Sequence, residues 1–559
     1  MKRIKKLLIL MLSTLMLLGT MSITAFAASD SSVTVSGLDA GDQVKIYKLI
    51  KWTDSGWAWA DGVEAAATAA SVTLPDISTI TGGALTAETG GILAQAAQKL
   101  SAPATTLTVA SGASSVTYSK PASMSSNDFL GLYVALVTPA TTDYLYNPIF
   151  VAADFNAGNN SIGVVVDQLS YTDTALAKKE NVTLTKTVAE IQYDVAVGDE
   201  IAFTVNSVIP EFSSSYVDPV YVLTDTLQSG LEMVANSVEV KVRTKGSGSY
   251  AALAAANYDL NSTTSGFTLA LKSAYLKGLT GAMDIQVTYK AKIKELVDVN
   301  VLQKENKATV KFSNDPSDST SYSLLEDRTY HYTFSLDALL LGNNKWENSE
   351  LVKVGLNPDG SEITETITLD NGVTAGVLEG AVFGLYTDQA CTTLYTNNNV
   401  TPAITGQYTS DENGKLNISG LDAGIYYLKE IQAPEGYIAG TDTYKIEIKP
   451  KYKTVNGGTY VNSDGITVKY DAYDILESYE VIVTNLKTNT AVTSSFVMSN
   501  DGTSLTSHTD NTTKLPNTKG TELPTTGGIG TTIFYIVGSL LVLGAALLIV
   551  TRRRMNSGR

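Results

Sequence analysis

From Val182 to Val188 the chain reads Val-Thr-Leu-Thr-Lys-Thr-Val, with apolar residues on even positions and threonines on odd ones. A period of two is the signature of a strand with one buried face. Short runs of the same kind recur at 33–38, 43–49, 130–137, 149–155, 201–208, 220–227, 308–314, 380–386, 425–430 and 481–485. Glycine and proline punctuate them, which is the pattern of β-sandwich domains. The Ala-rich stretch from Ala84 to Leu100 is the best helix candidate in the first part of the chain. Only 17% of residues are charged, and Thr, Ser, Val, Tyr and Gly are abundant, so the composition favours strands over helix bundles. The expected class is mainly all-β, with several sandwich domains spread over 559 residues.

The two ends are different. Met1-Lys2-Arg3-Ile4-Lys5-Lys6 precedes an apolar stretch from Leu7 to Leu18, and Ala25-Phe26-Ala27 follows. A basic start, a short apolar run and an A-x-A site predict a secretory signal peptide over 1–27. At the other end Leu523-Pro524-Thr525-Thr526-Gly527 precedes an apolar segment of about 529–550 and then Arg552-Arg553-Arg554. That segment is long enough to cross a bilayer, and the arginines hold its end on the cytoplasmic side. Pentapeptide, span and basic stop together resemble the sorting signal of Gram-positive wall-anchored proteins. The resemblance implies that a sortase cysteine attacks the Thr526 carbonyl, cuts the Thr526–Gly527 bond and passes Thr526 to an amine.

A net charge of −16 argues against nucleic acid as a partner. With one cysteine, Cys391, the chain has no internal disulfide to resist unfolding outside the cell. Two histidines far apart and no Cys/His cluster give no metal-binding spacing, and no cofactor is expected. No Gly-rich phosphate loop stands between a strand and a helix. The chain is read as a non-enzyme.

Three residues break the apolar pattern in the same way. Lys186 shares the inward parity of Val182, Leu184 and Val188. Asp225 lies within the strand 220–227. Asn314 shares the parity of Ala308, Val310 and Phe312, and so does Asn306. Further on come Gly380-Ala381-Val382-Phe383-Gly384-Leu385-Tyr386, Gly420-Leu421-Asp422-Ala423-Gly424-Ile425-Tyr426-Tyr427-Leu428-Lys429-Glu430 and Ala433-Pro434-Glu435-Gly436-Tyr437. These segments resemble the CnaB-type domain of Gram-positive pilins and adhesins. The strands of Lys186, Asp225 and Asn314 are similar to the middle domain of pilus shaft subunits. With the sorting signal, the order resembles an LPXTG-type major pilin made of tandem Ig-like, CnaA- and CnaB-type sandwiches.

The resemblance implies bonds between lysine amines and asparagine side chains, each promoted by a neighbouring acid. Carried over residue by residue, these are Lys186, Asp225 and Asn314, with Asn306 as the alternative amide. In the third domain they are Lys353, Glu430 and Asn485, with Lys345 as the alternative amine. The chemistry is coherent. Burial disfavours the charged forms, leaving a nucleophilic amine and a protonated acid that polarises the amide. The fold supplies the proximity. Such self-crosslinking is a single event, not turnover.

The resemblance also implies a lysine that accepts Thr526 of the next subunit, in a Tyr-Pro-Lys-type motif before the middle domain. Here that place reads Ala175-Leu176-Ala177-Lys178-Lys179-Glu180-Asn181, with lysines but no Tyr-Pro. Lys179 is the first choice and Lys178 the second. The expected organisation is a signal peptide at 1–27, a β-rich domain at 28–177, a middle sandwich at 178–325 and a CnaB-type sandwich at 326–487. A flexible Thr/Ser-rich stalk at 488–522 and a sorting signal at 523–559 complete it. Implied partners are sortase, other copies of the chain, peptidoglycan, minor pilins and host-surface ligands, at a wall-anchored cell-surface location. The competing expectation is a monomeric wall-anchored adhesin, or a minor or basal pilin.

Overall fold

The computed structural model describes residues 31–81, 85–153, 155–156, 161–162, 172–189, 193–293, 304–316, 320–337, 339–340, 346–347, 349–369, 371–520 and 529–556. The expected signal peptide at 1–27, the pentapeptide 523–527 and Lys345 lie outside them.

The first region pairs Ser32–Ser36 with Thr172–Leu176 in parallel and with Ser115–Ser119 in antiparallel, closing the start of the domain on its end. A five-stranded sheet packs beside it, with Gly56–Trp59, Gln43–Thr53, Gly131–Thr138 and Ile149–Ala153 in order and Thr105–Thr108 also on Gln43–Thr53. The expected helix is present as Ala87–Ala97. Thr86 caps it by accepting a hydrogen bond from the Thr89 backbone N–H at 3.2 Å, one of the orphan donors a helix start exposes. Leu93, Ala94, Ala96 and Ala97 are buried on it.

The middle region is a sandwich. One sheet runs Leu184–Val188, Glu200–Ile209, Met283–Ile293, Glu239–Thr244 and Ala251–Ala252, with Leu231–Met233 also on Met283–Ile293. The facing sheet has seven strands, including Tyr221–Leu227, Lys304–Ser313 and Tyr322–His331. Val205, Phe203, Leu223, Val310 and Phe312 join the two sheets in one core. Its last two strands, Thr467–Tyr470 and Gly458–Val461, come from the third region, because Leu324–Glu326 pairs in parallel with Val468–Tyr470. The strand Tyr322–His331 therefore runs through the expected boundary at 325/326.

The third region pairs seven strands from Gln407–Thr409 to Leu505–Thr509 against a small sheet of Leu351–Leu356, Thr513–Lys519 and Tyr437–Ile438. This corrects the expected stalk at 488–522. Thr490–Met498, Leu505–Thr509 and Thr513–Lys519 are strands of the domain. Their Thr and Ser residues hid the period, since inward positions include Ser494 and Asn517 beside Phe496, Met498, Leu505 and Leu515. Leu515 is part of the domain's core. The helix Ile529–Asn556 follows, and among the described residues one helix, Ile533–Arg554, is long and apolar enough to cross a membrane.

The regions touch through specific contacts. The Lys469 ammonium, on the third region's hairpin, reaches Asp143 of the first at 2.6 Å. Gly91 lies where the helix Ala87–Ala97 meets the middle region, and a Cβ there would stand 2.0 Å from Ser214 Oγ. Ser214 Oγ donates to the Ala87 carbonyl, and its own carbonyl accepts from Gln95 Nε2, both at 2.8 Å. Replacing Gly91 by leucine must push the two regions apart, costing about 1–3 kcal/mol as overpacking. Limited proteolysis should then cut faster in the connection at 177–183 than in the unaltered protein. Unchanged cleavage there would show that the close approach is not needed.

Candidate functional site: two buried lysine–carboxyl–amide clusters

Alternation on Leu184–Val188 places Lys186 among apolar neighbours, and its side chain is wholly buried, as is that of Asp225. The two are hydrogen-bonded. Lys186 Nζ also donates to the hydroxyl of Tyr289 at 2.5 Å, and that hydroxyl donates to Asp225 Oδ1 at 2.8 Å. The phenol is shared with a fourth residue: Asn306 Nδ2 donates to it at 2.7 Å. Amine, acid and amide thus converge on one hydroxyl. The rings of Phe203 and Tyr289 stand 4.9 and 5.0 Å from the lysine nitrogen.

Burial pushes the Lys186 ammonium towards its neutral form, against the attraction of Asp225. Burial pushes the Asp225 carboxyl up, against the pull of Lys186. Both shifts follow from desolvation of the charged form.

Asn306, the alternative amide, is the one that meets this cluster, and Asn314 does not. The strand Lys304–Ser313 buries every even position and ends before Asn314, just ahead of Asp315-Pro316. Asn314 instead donates to Ser323 Oγ at 3.1 Å and accepts from Ser321 Oγ at 2.8 Å. Tyr289 was missed by sequence reasoning. Its signal was a hydroxyl on the inward parity of Ile285, Val287, Ala291 and Ile293.

In the third region Lys353 is 1% exposed on the strand Leu351–Leu356. Its Nζ donates to the Leu515 carbonyl at 2.8 Å and lies 3.6 Å from Glu430 Oε1. Glu430 Oε2 accepts from Asn517 Nδ2 at 2.7 Å and from the Gly440 backbone N–H. Asn517 Nδ2 also donates to the Ile438 carbonyl at 2.7 Å. The parallel pairing of Leu351–Leu356 with Thr513–Lys519 sets this up, placing Lys353 opposite Leu515 and Gly355 opposite Asn517.

The amide in this cluster is therefore Asn517, and Asn485 is corrected. Asn485 caps a turn: its Nδ2 donates to Asp442 Oδ2 at 2.9 Å, and its Oδ1 accepts from the Lys487 and Thr488 backbone N–H groups. Asn517 lies in Leu515-Pro516-Asn517-Thr518-Lys519, inside the stretch expected to be a stalk. Cys391 is half-exposed on a loop, with its Sγ 3.7 Å from the Gln389 carbonyl.

The clusters share one further property. Asn306 Oδ1, Asn517 Oδ1 and Glu430 Oε1 are buried with no hydrogen-bond partner. Each such group costs about 1–3 kcal/mol. Both clusters thus hold an electrophilic amide carbonyl without a hydrogen-bond partner, beside an amine that burial pushes towards its neutral form.

The candidate acceptor lysines differ in freedom. Lys179 is 26% exposed, bound to Asp39, with its nitrogen 3.7 Å over the Tyr144 ring. Lys178 is 55% exposed and pairs with Glu211 at 2.7 Å and Glu180 at 3.6 Å.

Burial lowers the Lys353 amine from 10.5 to about 8, with Glu430 opposing. The sign for an unbonded domain follows. Between about pH 8 and 10.5 the unfolded chain holds a proton that the folded one has released, so stability rises with pH, by at most about 1.4 kcal/mol per unit. Below pH 8 the lysine is protonated in both states and this slope vanishes. The variant Asn517→Ala should therefore show a rising urea midpoint from pH 8 to 10, and adding Lys353→Met should remove that rise. Equal pH dependence in the two variants would contradict the buried-amine account.

Comparison with known proteins bears on the fold and on the C-terminal segment. Residues 366–460 match the SpaA prealbumin-like fold domain, and residues 515–557 match the LPXTG cell wall anchor motif. The chain is 25% identical over 459 residues to the trypsin-resistant surface T6 protein of Streptococcus pyogenes serotype M6, covering 76% of this chain and 79% of that one. The solved T6 backbone pilin of the same organism superposes with a TM-score of 0.54 at 19% identity, covering 89% of this chain and 100% of that one. That likeness shows the fold. The full-length major pilin SpaD from Corynebacterium diphtheriae aligns at 16% identity with a TM-score of 0.45, covering 88% of this chain and 98% of that one.

Proposed function

We propose that this chain, an LPXTG-anchored surface protein of the backbone-pilin kind, is the repeating subunit of a covalent pilus whose middle and third domains crosslink themselves. The observation that carries the reading is the pair of buried clusters, Lys186–Asp225–Asn306 and Lys353–Glu430–Asn517, each with an amide oxygen left without a partner.

In each cluster the neutral lysine nitrogen attacks Cγ of the asparagine. Asp225, whose carboxyl burial pushes up, donates a proton to the amide oxygen as the tetrahedral intermediate forms, and in each cluster the acid helps move the lysine proton to the departing nitrogen. The Cγ–Nδ2 bond breaks, ammonia leaves, and one lysine–asparagine amide remains. In the middle domain the Tyr289 hydroxyl holds the acid and amide together. No cofactor enters, and each site reacts once. The bond ties a strand near the start of each domain to one near its end, and like a disulfide it restricts the unfolded chain, but reductants cannot open it.

Polymerisation uses a different lysine. Sortase cuts after Thr526 and transfers it to the amine at the junction of the first two domains. Exposure favours Lys178 over Lys179 for that role. Subunits at the base pass to peptidoglycan instead.

Intact-mass measurement of the folded protein should show the loss of two ammonia molecules. Asn306→Ala and Asn517→Ala should each restore one, while Asn314→Ala and Asn485→Ala should restore none. Wall material released by a muramidase and boiled in denaturant should give a ladder of very high mass that Lys178→Ala shortens or abolishes. A mass equal to that of the unmodified chain would exclude the self-crosslinks. A single band near the monomer would favour the anchored-adhesin reading.

A further inference from the structure

The first domain carries a cavity of about 660 Å³ that neither crosslink uses. Small-ligand sites occupy about 300–1,000 Å³. The cavity lies between the strand Gln43–Thr53, the helix Val63–Ala69 and the segment after Ala87–Ala97. Three lysines line it, Lys48, Lys51 and Lys99, in a chain whose net charge is −16. The acids at its wall are Asp61 and Asp128.

The positive charge there is poorly compensated. Lys48 Nζ donates to the backbone carbonyl of Asp128 and lies 5.6 Å from the Tyr133 ring centre. The Asp128 carboxylate is engaged by Ser125 Oγ at 2.7 Å. Burial lowers the Lys48 amine to about 8, so its charged form lacks a sufficient counter-ion. Lys51 pairs with Asp61 at 2.5 Å, but the Asp61 side chain is 96% exposed, and a pair in that setting is worth little. Among the described residues the Lys99 ammonium has no hydrogen-bond or ion-pair partner.

The aromatic wall narrows the class of ligand. Trp52 lines the cavity and packs edge-on against Trp57, with ring centres 5.0 Å apart. A half-buried indole offers an apolar surface to the carbon face of a sugar ring. The two acids offer acceptors for hydroxyl groups and would repel a polyphosphate. Ammonium groups, hydroxyl acceptors and an indole in one pocket match one carboxylate, several hydroxyls and one flat apolar face.

We propose that this cavity binds a carboxylated pyranose, of the sialic or uronic acid class. Its carboxylate would pair with Lys48 and Lys99, and its ring would rest against Trp52. In the proposed polymer the joining residues, Lys178 and Thr526, both follow this domain in sequence, so occupancy need not disturb the covalent chain. The site does not depend on polymerisation.

The test is a titration of the full mature protein, followed by tryptophan fluorescence and calorimetry. N-acetylneuraminic acid, glucuronic acid and galacturonic acid are the probes, with glucose, acetate and inorganic phosphate as controls. At least one acid sugar should saturate while the controls do not. Lys99→Ala and Trp52→Leu should each weaken that binding about tenfold or more, a loss of about 1.4 kcal/mol, with unchanged circular dichroism and unchanged ladder formation. Lys99→Arg should retain most of it. Saturation by none of the three sugars would overturn the proposal, as would equal binding of acetate or phosphate. Binding that ignores both Lys99→Ala and Trp52→Leu would overturn the location.

Discussion

A lysine ammonium carried into an apolar core is the constraint around which the middle and third domains are arranged. Lys186 is wholly enclosed, with Phe203 and Tyr289 rings beside its nitrogen. Removing such a charge from water costs several kcal/mol unless it is paired. Asp225 and Tyr289 offset part of that cost, but the acid is also raised by burial, so pairing alone is a poor solution. Converting amine and amide into one neutral linkage removes the problem altogether. The orphan oxygens of Asn306 and Asn517 mark where the unreacted arrangement is least satisfied.

Topology turns this local chemistry into a mechanical property. In the middle domain Leu184–Val188 and Lys304–Ser313 lie in opposite sheets, so the proposed bond crosses the sandwich. In the third, Leu351–Leu356 and Thr513–Lys519 run parallel and adjacent, near the beginning and end of the domain. A load entering one copy at Lys178 and leaving at its own Thr526 would then pass through two short covalent routes rather than through each hydrogen-bonded sheet. Such bonds would do for a chain with a single cysteine what disulfides do in other extracellular proteins. The parallel pairing of Leu324–Glu326 with Val468–Tyr470, and the Lys469–Asp143 contact, link the three regions.

Much of this was legible in the residues. The period of two at Val182–Val188 gave both the strand and the inward aim of Lys186, because strand parity is a strict geometric rule. Parity also gave Asn306 and Asn314 equal claims, and it could not say where the strand stops. The end before Asp315-Pro316 decides it. Asn517 was hidden for a different reason. Its strand is rich in threonine and lysine, and its inward face holds one leucine and one asparagine, so it carries too little apolar signal to stand out. Glu430 and Lys353 were found through the segments around them. Tyr289 was not, because a buried tyrosine on an apolar parity ordinarily reads as core. No periodicity could reveal the cavity of the first domain, since Lys48 and Lys51 stand on opposite parities of one strand and Lys99 comes from a separate segment.

The central claim is that each core lysine ends as an amide with one particular asparagine. Tandem mass spectrometry of a digest of the wall-released protein tests it most directly. The account predicts two branched peptides, one joining Lys186 to Asn306 and the other Lys353 to Asn517. Linear peptides carrying all four residues unmodified, or branches that end at Asn314 or Asn485, would contradict it.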